Sequence, residues 1–309
     1  MIFKFIYGNH VNFGNGIHDT MKLLKYGFEE SGHELHFEKN VCPGCTNIIV
    51  ELFTYDFLQR CIDASKTPGT RFVIIATEFI TGKTFNDFKT VDNTKNLVSA
   101  NHYEKRDYWL KRYTTFIKAT ELACSVWHLN EIASEKFKEE LSRDVLYMPH
   151  CYVSKLANIC TFERKQDIDF LFTGTLTALR ESILTSLLDS GYKCKFLDSS
   201  TPPLQRLSWV ERSKIALNLK QNSDWKYSSN SRYYYHLCND SLMISHKCEI
   251  DCDLSIFITE VEETKFLESC KEFINSDRHV SLRKAQTEKF NDEKPNEGYF
   301  KVLIDKLGI

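Results

Sequence analysis

Asp167-Ile-Asp-Phe-Leu-Phe-Thr-Gly-Thr-Leu-Thr-Ala-Leu-Arg180, followed by the run 181–188, spells a strand, a tight turn and a helix in succession. Ile168, Phe170, Leu171 and Phe172 make a short buried strand, and Thr173-Gly174-Thr175 breaks it. A 3.6-residue apolar rhythm then starts at Leu179 and continues through Ile183, Leu184, Leu187 and Leu188. In such a unit the turn lies at the carboxyl end of the strand. The free N–H groups of the following helix and the lack of a side chain on Gly174 let a phosphate approach the backbone there. Arg180, in the first turn of the helix, is expected as a fixed cation beside it. A lone glycine in such a turn is weak evidence, and an ordinary turn with a solvated arginine is the simpler alternative.

A second element lies downstream. Residues 211–219 read as the end of a helix passing into a strand, and 220–230 as a polar loop. From Ser231 a helix carries Tyr233, Tyr234 and Leu237 on one face, Asn239-Asp240 ends it, and Leu242 to Ile244 form another strand. The order Lys214, Leu217-Asn218, Ser231-Arg232-Tyr233 and Ser245, placed after the Phe-Thr-Gly turn and Arg180, resembles the donor-binding half of GT-B glycosyltransferases. The spore-maturation-type and group-1-like members are the most similar. The resemblance runs from about residue 122 to the C-terminus; its motifs are individually degenerate, and their order and spacing carry it.

That resemblance implies an α/β chain of two doubly wound Rossmann-like domains facing a central cleft. An acceptor-binding domain is expected over 1–155, a nucleotide-sugar-binding domain over 156–290, and a terminal helix over 291–309 packing back toward the first domain. It implies a nucleotide sugar held by Gly174, Thr175, Arg180, Lys214, Asn218, Ser231, Arg232 and Tyr233. The Glu-x7-Glu pair of retaining members is absent, since Glu249 has Phe257 at the required offset. Glu260, Glu262 and Glu263 are read instead as favourable charges at a helix start, and the stereochemical outcome stays open.

The N-terminal half is consistent with a first nucleotide-type domain. Ile2 to Tyr7 reads as a strand, 8–16 as a Gly- and Asn-rich loop, and 17–31 as a helix. Asn15 and Gly16 fall on the acceptor side of that loop. His18 and Asp19, at the start of the helix, are candidates for the base that removes the acceptor hydroxyl's proton. Glu78, just past the apolar strand 72–76, is a third, or else a ligand of the acceptor sugar. The alternatives are a surface histidine, a helix-start charge and a backbone cap. The aromatic stripe of the helix read over 101–118, with Trp109 and Tyr113, belongs more naturally to a core than to a sugar platform. His150, at the expected domain junction, faces either the cleft or the outer surface, with the surface favoured.

With 309 residues, 42% hydrophobic and 13% aromatic, the chain has ample material for two cores. A net charge of −2 supplies no whole-chain field for nucleic acid or an anionic membrane. Eleven scattered cysteines, without a leading signal-like segment or an apolar run of ~20 residues, point to the cytoplasm, with peripheral attachment to the inner membrane face still compatible. Cys42-Pro-Gly-Cys45 has the spacing of a redox pair or half a zinc site, yet it precedes a β-branched run and reads as a turn before a strand.

The function expected is transfer of a sugar from a nucleotide sugar to a saccharide or lipid-linked acceptor in surface-glycan assembly, with no metal and no other cofactor. Arginine and lysine would neutralise the departing diphosphate. Neither Asp167-Ile-Asp169 nor Asp251-Cys-Asp253 stands where a divalent-ion motif is needed. The rival is a non-catalytic nucleotide or sugar binder, or an epimerase, on the same two-domain frame. A dehydrogenase is disfavoured because Gly8, Gly14 and Gly16 lack the Gly-x-Gly-x-x-Gly spacing.

Overall fold

The computed structural model describes residues 1–10, 17–86, 106–157, 165–198 and 200–308. Asn15, Gly16 and the first residues of the helix read over 101–118 lie outside the described residues. The chain divides into two compact units. The first is Met1–Gly14, Gly27–Pro149 and Tyr299–Ile309, and the second is Asn15–Tyr26 and His150–Gly298.

The first unit contains β1 (Ile2–Ile6), the last turn of α1 (His18–Glu30), whose earlier turns belong to the second unit, β2 (Glu34–Glu38), β3 (Thr46–Val50), α2 (Tyr55–Ser65) and β4 (Arg71–Ala76). A small hairpin, β5 (Ile80–Thr81) and β6 (Thr84–Phe85), leads to α3 (Arg106–Thr120), β7 (Ser125–His128), α4 (Glu131–Leu141) and β8 (Val145–Tyr147). The strands line up as β2-β1-β3-β4-β7-β8 with every pair parallel. Ile48 to Val50 and Phe72 to Ala76 are buried without alternation, as befits central strands covered on both faces. Thr54 Oγ1 accepts from the Phe57 N–H at 3.2 Å and Asn130 Oδ1 from the Ala133 N–H at 2.9 Å, which fixes where α2 and α4 begin. Trp109 and Tyr113 are 2% and 7% exposed and pack into the core with Phe85, Phe116 and Phe137, so neither offers a face to a sugar.

The second unit contains β9 (Ile168–Thr173), α5 (Ala178–Asp189), β10 (Cys194–Leu197), α6 (Pro203–Arg212), β11 (Ser213–Asn218), α7 (Asn230–Cys238), β12 (Met243–His246), β13 (Thr259–Val261), α8 (Phe266–Asn275) and α9 (Arg278–Glu293). The last helix, α10 (Tyr299–Asp305), belongs to the first unit, where the Phe300 ring meets Phe28 and lies so close to Gly27 that a β-carbon there would come within 2.2 Å of it. The second sheet is ordered β10-β9-β11-β12-β13, all parallel. From β9 the chain crosses to β10 on one side and returns to β11 on the other. The gap between the carboxyl ends of β9 and β11 is therefore the topological switch point, where open α/β sheets hold their ligands.

Ser255-Ile-Phe-Ile-Thr259 has the composition of a strand, yet the last strand, β13, starts only at Thr259. Ser255–Phe257 is a 3-10 turn closed by Phe257 N–H to Leu254 O and Ile258 N–H to Ser255 O, and the Ser255 hydroxyl accepts from the Cys252 N–H at 3.1 Å. That side-chain bond gives the β-branched run a local alternative to a strand. His150, expected on the surface, is 1% exposed and faces the Tyr234 ring at 5.4 Å. Cys42 and Cys45 form the turn before β3, tied by the Asn47 side chain to Cys42 N, Cys42 O and Cys45 O. Among the described residues no helix is long and apolar enough to cross a membrane, and no group of three or more His, Cys, Asp or Glu gathers to hold a metal ion.

Candidate functional site

Gly174, Arg180, Asn218 and Arg232, singled out in the donor half, meet at the switch point of the second sheet. Gly174, directly after β9, has φ +138°, and its N–H donates to Leu197 O at 2.9 Å. A β-carbon there would lie 2.9 Å from Nη2 of Arg232 and 3.5 Å from the Phe172 ring. Glycine thus does two things: it accepts the positive φ and lets a guanidinium rest on the backbone. Gly174→Ala is expected to lower the unfolding free energy by about 1–3 kcal/mol, because both strain and the displaced guanidinium must be accommodated. Urea denaturation checks this, and an unchanged midpoint would mean that the close approach costs nothing.

Arg232 sits in the first turn of α7, next to Ser231, which is exposed. Its Nη1 donates to Asn218 Oδ1 at the end of β11. Its guanidinium carbon lies 5.6 Å from the Phe172 ring centroid, and that of Arg180 lies 5.3 Å from the same ring. Two cations therefore flank one aromatic ring at one sheet edge. Among the described residues neither has a carboxylate partner. Burial holds the Arg232 pKa down to about 10. Arg180 is lowered well below the usual guanidinium range, by burial first and by the charge of Arg232 second. Each perturbation is relieved by an anion.

Arg180 is the fixed cation expected beside the turn, but its guanidinium is turned inward. It is 5% exposed, and its guanidinium is spent on carbonyls: Nε to Leu219 O and Lys220 O, both at 3.1 Å, Nη1 to Thr175 O at 2.7 Å, and Nη2 to Leu219 O at 2.9 Å. It braces the turn after β9 against the loop after β11, and contributes to the site as a fixed charge. Thr177, at the N-cap of α5, gives its hydroxyl to Gln221 O at 2.6 Å and makes no side-chain cap. The first N–H groups of α5 thus keep their capacity for an anion.

Lys214 is not part of this group. It stands at the amino end of β11, its ammonium 2.7 Å from Asp169 Oδ1, beside the bidentate pair of Arg212 and Asp167. Asn218 lies four residues further along the strand, roughly 13 Å away at the strand rise. Tyr233 is wholly buried; its hydroxyl is 2.6 Å from Ser245 Oγ and 3.1 Å from Glu260 Oε1. Asn218 Nδ2 donates to the same Ser245 Oγ at 2.8 Å. One polar chain thus links Arg232, Asn218, Ser245, Tyr233 and Glu260 across the ends of β11, β12 and β13. Glu260, read from sequence as a helix-start charge, lies half-buried in this chain, its pKa pushed up to about 7 by burial and then by Asp251. Only its place next to an apolar strand end could have hinted at this.

The candidate bases are held differently. In the first unit, Glu78 Oε1 meets Arg112 Nη1 at 2.9 Å and Oε2 accepts from Asn86 Nδ2 at 2.6 Å, so both its oxygens are engaged. Behind it the buried Glu51 accepts from Arg112 Nη2 at 2.9 Å and from the Thr77 and Glu78 N–H groups at 2.8 and 3.0 Å. In the second unit, Asp19 Oδ1 is 2.7 Å from Arg206 Nη2. His18 Nε2 is buried without a hydrogen-bond partner, and burial lowers its pKa to about 4, which leaves the ring neutral at pH 7.

No family model and no curated protein matches the chain. Solved structures do. An α-glucosyltransferase, in complex with UDP and a 13-mer DNA containing a central A:G mismatch, is similar over 100% of this chain and 99% of that one, with 12% identity and a TM-score of 0.59. TarM is similar over 86% of this chain and 55% of that one, with 8% identity and a TM-score of 0.51. At such identities the likeness is one of fold, and it agrees with the two parallel sheets described above: the chain has the GT-B fold, α/β with two Rossmann-like domains.

Proposed function

We propose that the chain is a glycosyltransferase that takes a sugar from a nucleoside diphosphate sugar held at the carboxyl edge of the second sheet. The observation that carries this is the pair Arg180 and Arg232 on Phe172, without a carboxylate partner among the described residues, beside Gly174 and the uncapped start of α5. Breaking the bond between the anomeric carbon and the diphosphate leaves charge on the leaving oxygen. A guanidinium and a helix N-terminus fixed before the reaction stabilise that charge without solvent rearrangement. Arg232, with its planar fork, can take two phosphate oxygens together. Metal-independent transfer follows from this cationic cradle. The Arg232–Asn218–Ser245–Tyr233–Glu260 chain holds the fork in place.

A second reading, a nucleotide-sugar binder without transfer, is favoured by one observation: both carboxylate candidates for the base, Asp19 and Glu78, are already ion-paired. The two readings part in one assay. Nucleotide sugars differing in base and sugar are incubated with saccharides, lipid-linked saccharides or duplex DNA, the last because the similar glucosyltransferase structure holds DNA. Release of free nucleoside diphosphate is measured with and without EDTA. The transferase reading predicts acceptor-dependent release from one donor, changed less than about twofold by EDTA. Nucleotide binding with no release for any acceptor would favour the binder.

A further inference from the structure

A cavity of about 450 Å³ opens in the second unit, away from the switch point. It lies among the start of α1, the start of α6 and one face of α7, and none of Gly174, Arg180, Asn218 or Arg232 lines it. Its size is that of a small-molecule site. The walls are mainly apolar, with Leu156, Pro203, Leu207 and Tyr234 among them. α7 has two working faces: Tyr233 turns to the sheet and its polar chain, while Tyr234 and Cys238 turn to the cavity.

The charges that line this cavity do not balance. Asp19 is the sole acid among the lining residues, and Arg206 takes it at 2.7 Å while also covering the Tyr235 ring at 4.2 Å. Lys22, which also lines the cavity, makes no salt bridge within 4 Å among the described residues, although its charge acts on Asp19 after that of Arg206. His18 is neutral at pH 7 and adds no charge. Two cations therefore face one carboxylate on an otherwise mainly apolar wall. An unpaired ammonium beside apolar surface is best matched by a ligand that brings both an apolar body and its own negative charge.

We propose that this cavity is a second binding site, separate from the nucleotide site, for a small apolar anion: an aromatic or aliphatic body carrying one carboxylate, sulfonate or phosphate group. Lys22 meets the anionic group and the walls formed by Leu156, Leu207 and Tyr234 enclose the body. Binding here does not depend on whether the chain transfers sugar.

A pair of fluorescent probes tests this on the full chain. 8-Anilinonaphthalene-1-sulfonate and N-phenyl-1-naphthylamine share one skeleton and differ by the sulfonate. Expected are saturable binding of the sulfonate at one site, binding of the neutral probe at least tenfold weaker, and no more than a twofold change on saturation with UDP. Lys22→Met should bring the sulfonate's affinity down to that of the neutral probe, leaving the neutral probe as it was. Leu207→Trp, which fills the cavity, should remove binding of both while the thermal unfolding midpoint stays within a few degrees. Equal affinity for the two probes, sulfonate binding unchanged in Lys22→Met, or displacement by UDP would overturn the proposal. Should Leu207→Trp fail to fold, the Lys22→Met comparison decides alone.

Discussion

Arg232→Ala is expected to cut kcat/KM for the nucleotide sugar by 10²–10³, the cost typical of removing one preorganised donor to a developing oxyanion. The loss should fall on the donor side, since the guanidinium rests on the Gly174 backbone and carries no carboxylate partner among the described residues. Stability should change by no more than about 1–2 kcal/mol, because the hydrogen bond lost goes to one neutral amide oxygen and removal of a desolvated charge offsets part of that loss. Arg180→Ala should behave differently. Its guanidinium makes four hydrogen bonds to carbonyls of two loops, and at about 1 kcal/mol or more for each bond the variant should lose several kcal/mol of stability together with activity. Lys214→Ala should leave donor use unaltered. Steady-state kinetics on the three variants, with urea midpoints alongside, separates these outcomes. Wild-type turnover by Arg232→Ala would remove the assignment.

Acid should unfold the protein well above the usual range of acid denaturation. His128, His150, His236 and His246 are 0–1% exposed, and burial lowers their pKa values to about 4, 3, 3 and 4 from 6.5. The unfolded chain binds protons at these rings below pH 6.5 while the folded chain does not. Stability is therefore complete above pH 6.5 and is lost as pH falls toward the folded values. At pH 5 each ring costs about 2 kcal/mol, so the four together approach a typical domain stability of about 5–15 kcal/mol. Glu51 and Glu260, raised by burial, act in the opposite sense, since the fold favours their protonated forms; they offset part of the loss. Urea midpoints at pH 8, 6 and 5 should fall steeply, approaching zero by pH 5. A flat profile would mean that the buried rings find compensating acceptors on protonation.

The switch-point site was legible because its parts are local. A strand, a glycine turn and a helix are written in consecutive residues, and Asn218 and Arg232 fall at the ends of periodic segments. Lys214 misled because it belongs to the same short motif as Asn218, yet a strand puts residues four apart at opposite ends of the sheet. For Arg180 the sequence shows the helix but not the environment. No pattern says that a helix-start arginine will turn inward onto Leu219 and Lys220 carbonyls some forty residues away. The pairing of Glu78 with Arg112 and the burial of His150 were invisible for the same reason: they depend on tertiary contacts that leave no periodic mark. Glu260 joined the site through Tyr233 and Ser245, a chain that only the register of β12 and β13 creates.

The most direct measurement is a crystal structure with UDP, the nucleotide held by the similar glucosyltransferase structure. Diphosphate oxygens are expected within ~3 Å of both terminal nitrogens of Arg232 and of the first N–H groups of α5, in hydrogen-bond contact. A diphosphate bound elsewhere, with Arg232 still resting on Gly174 and touching no ligand, would contradict this placement.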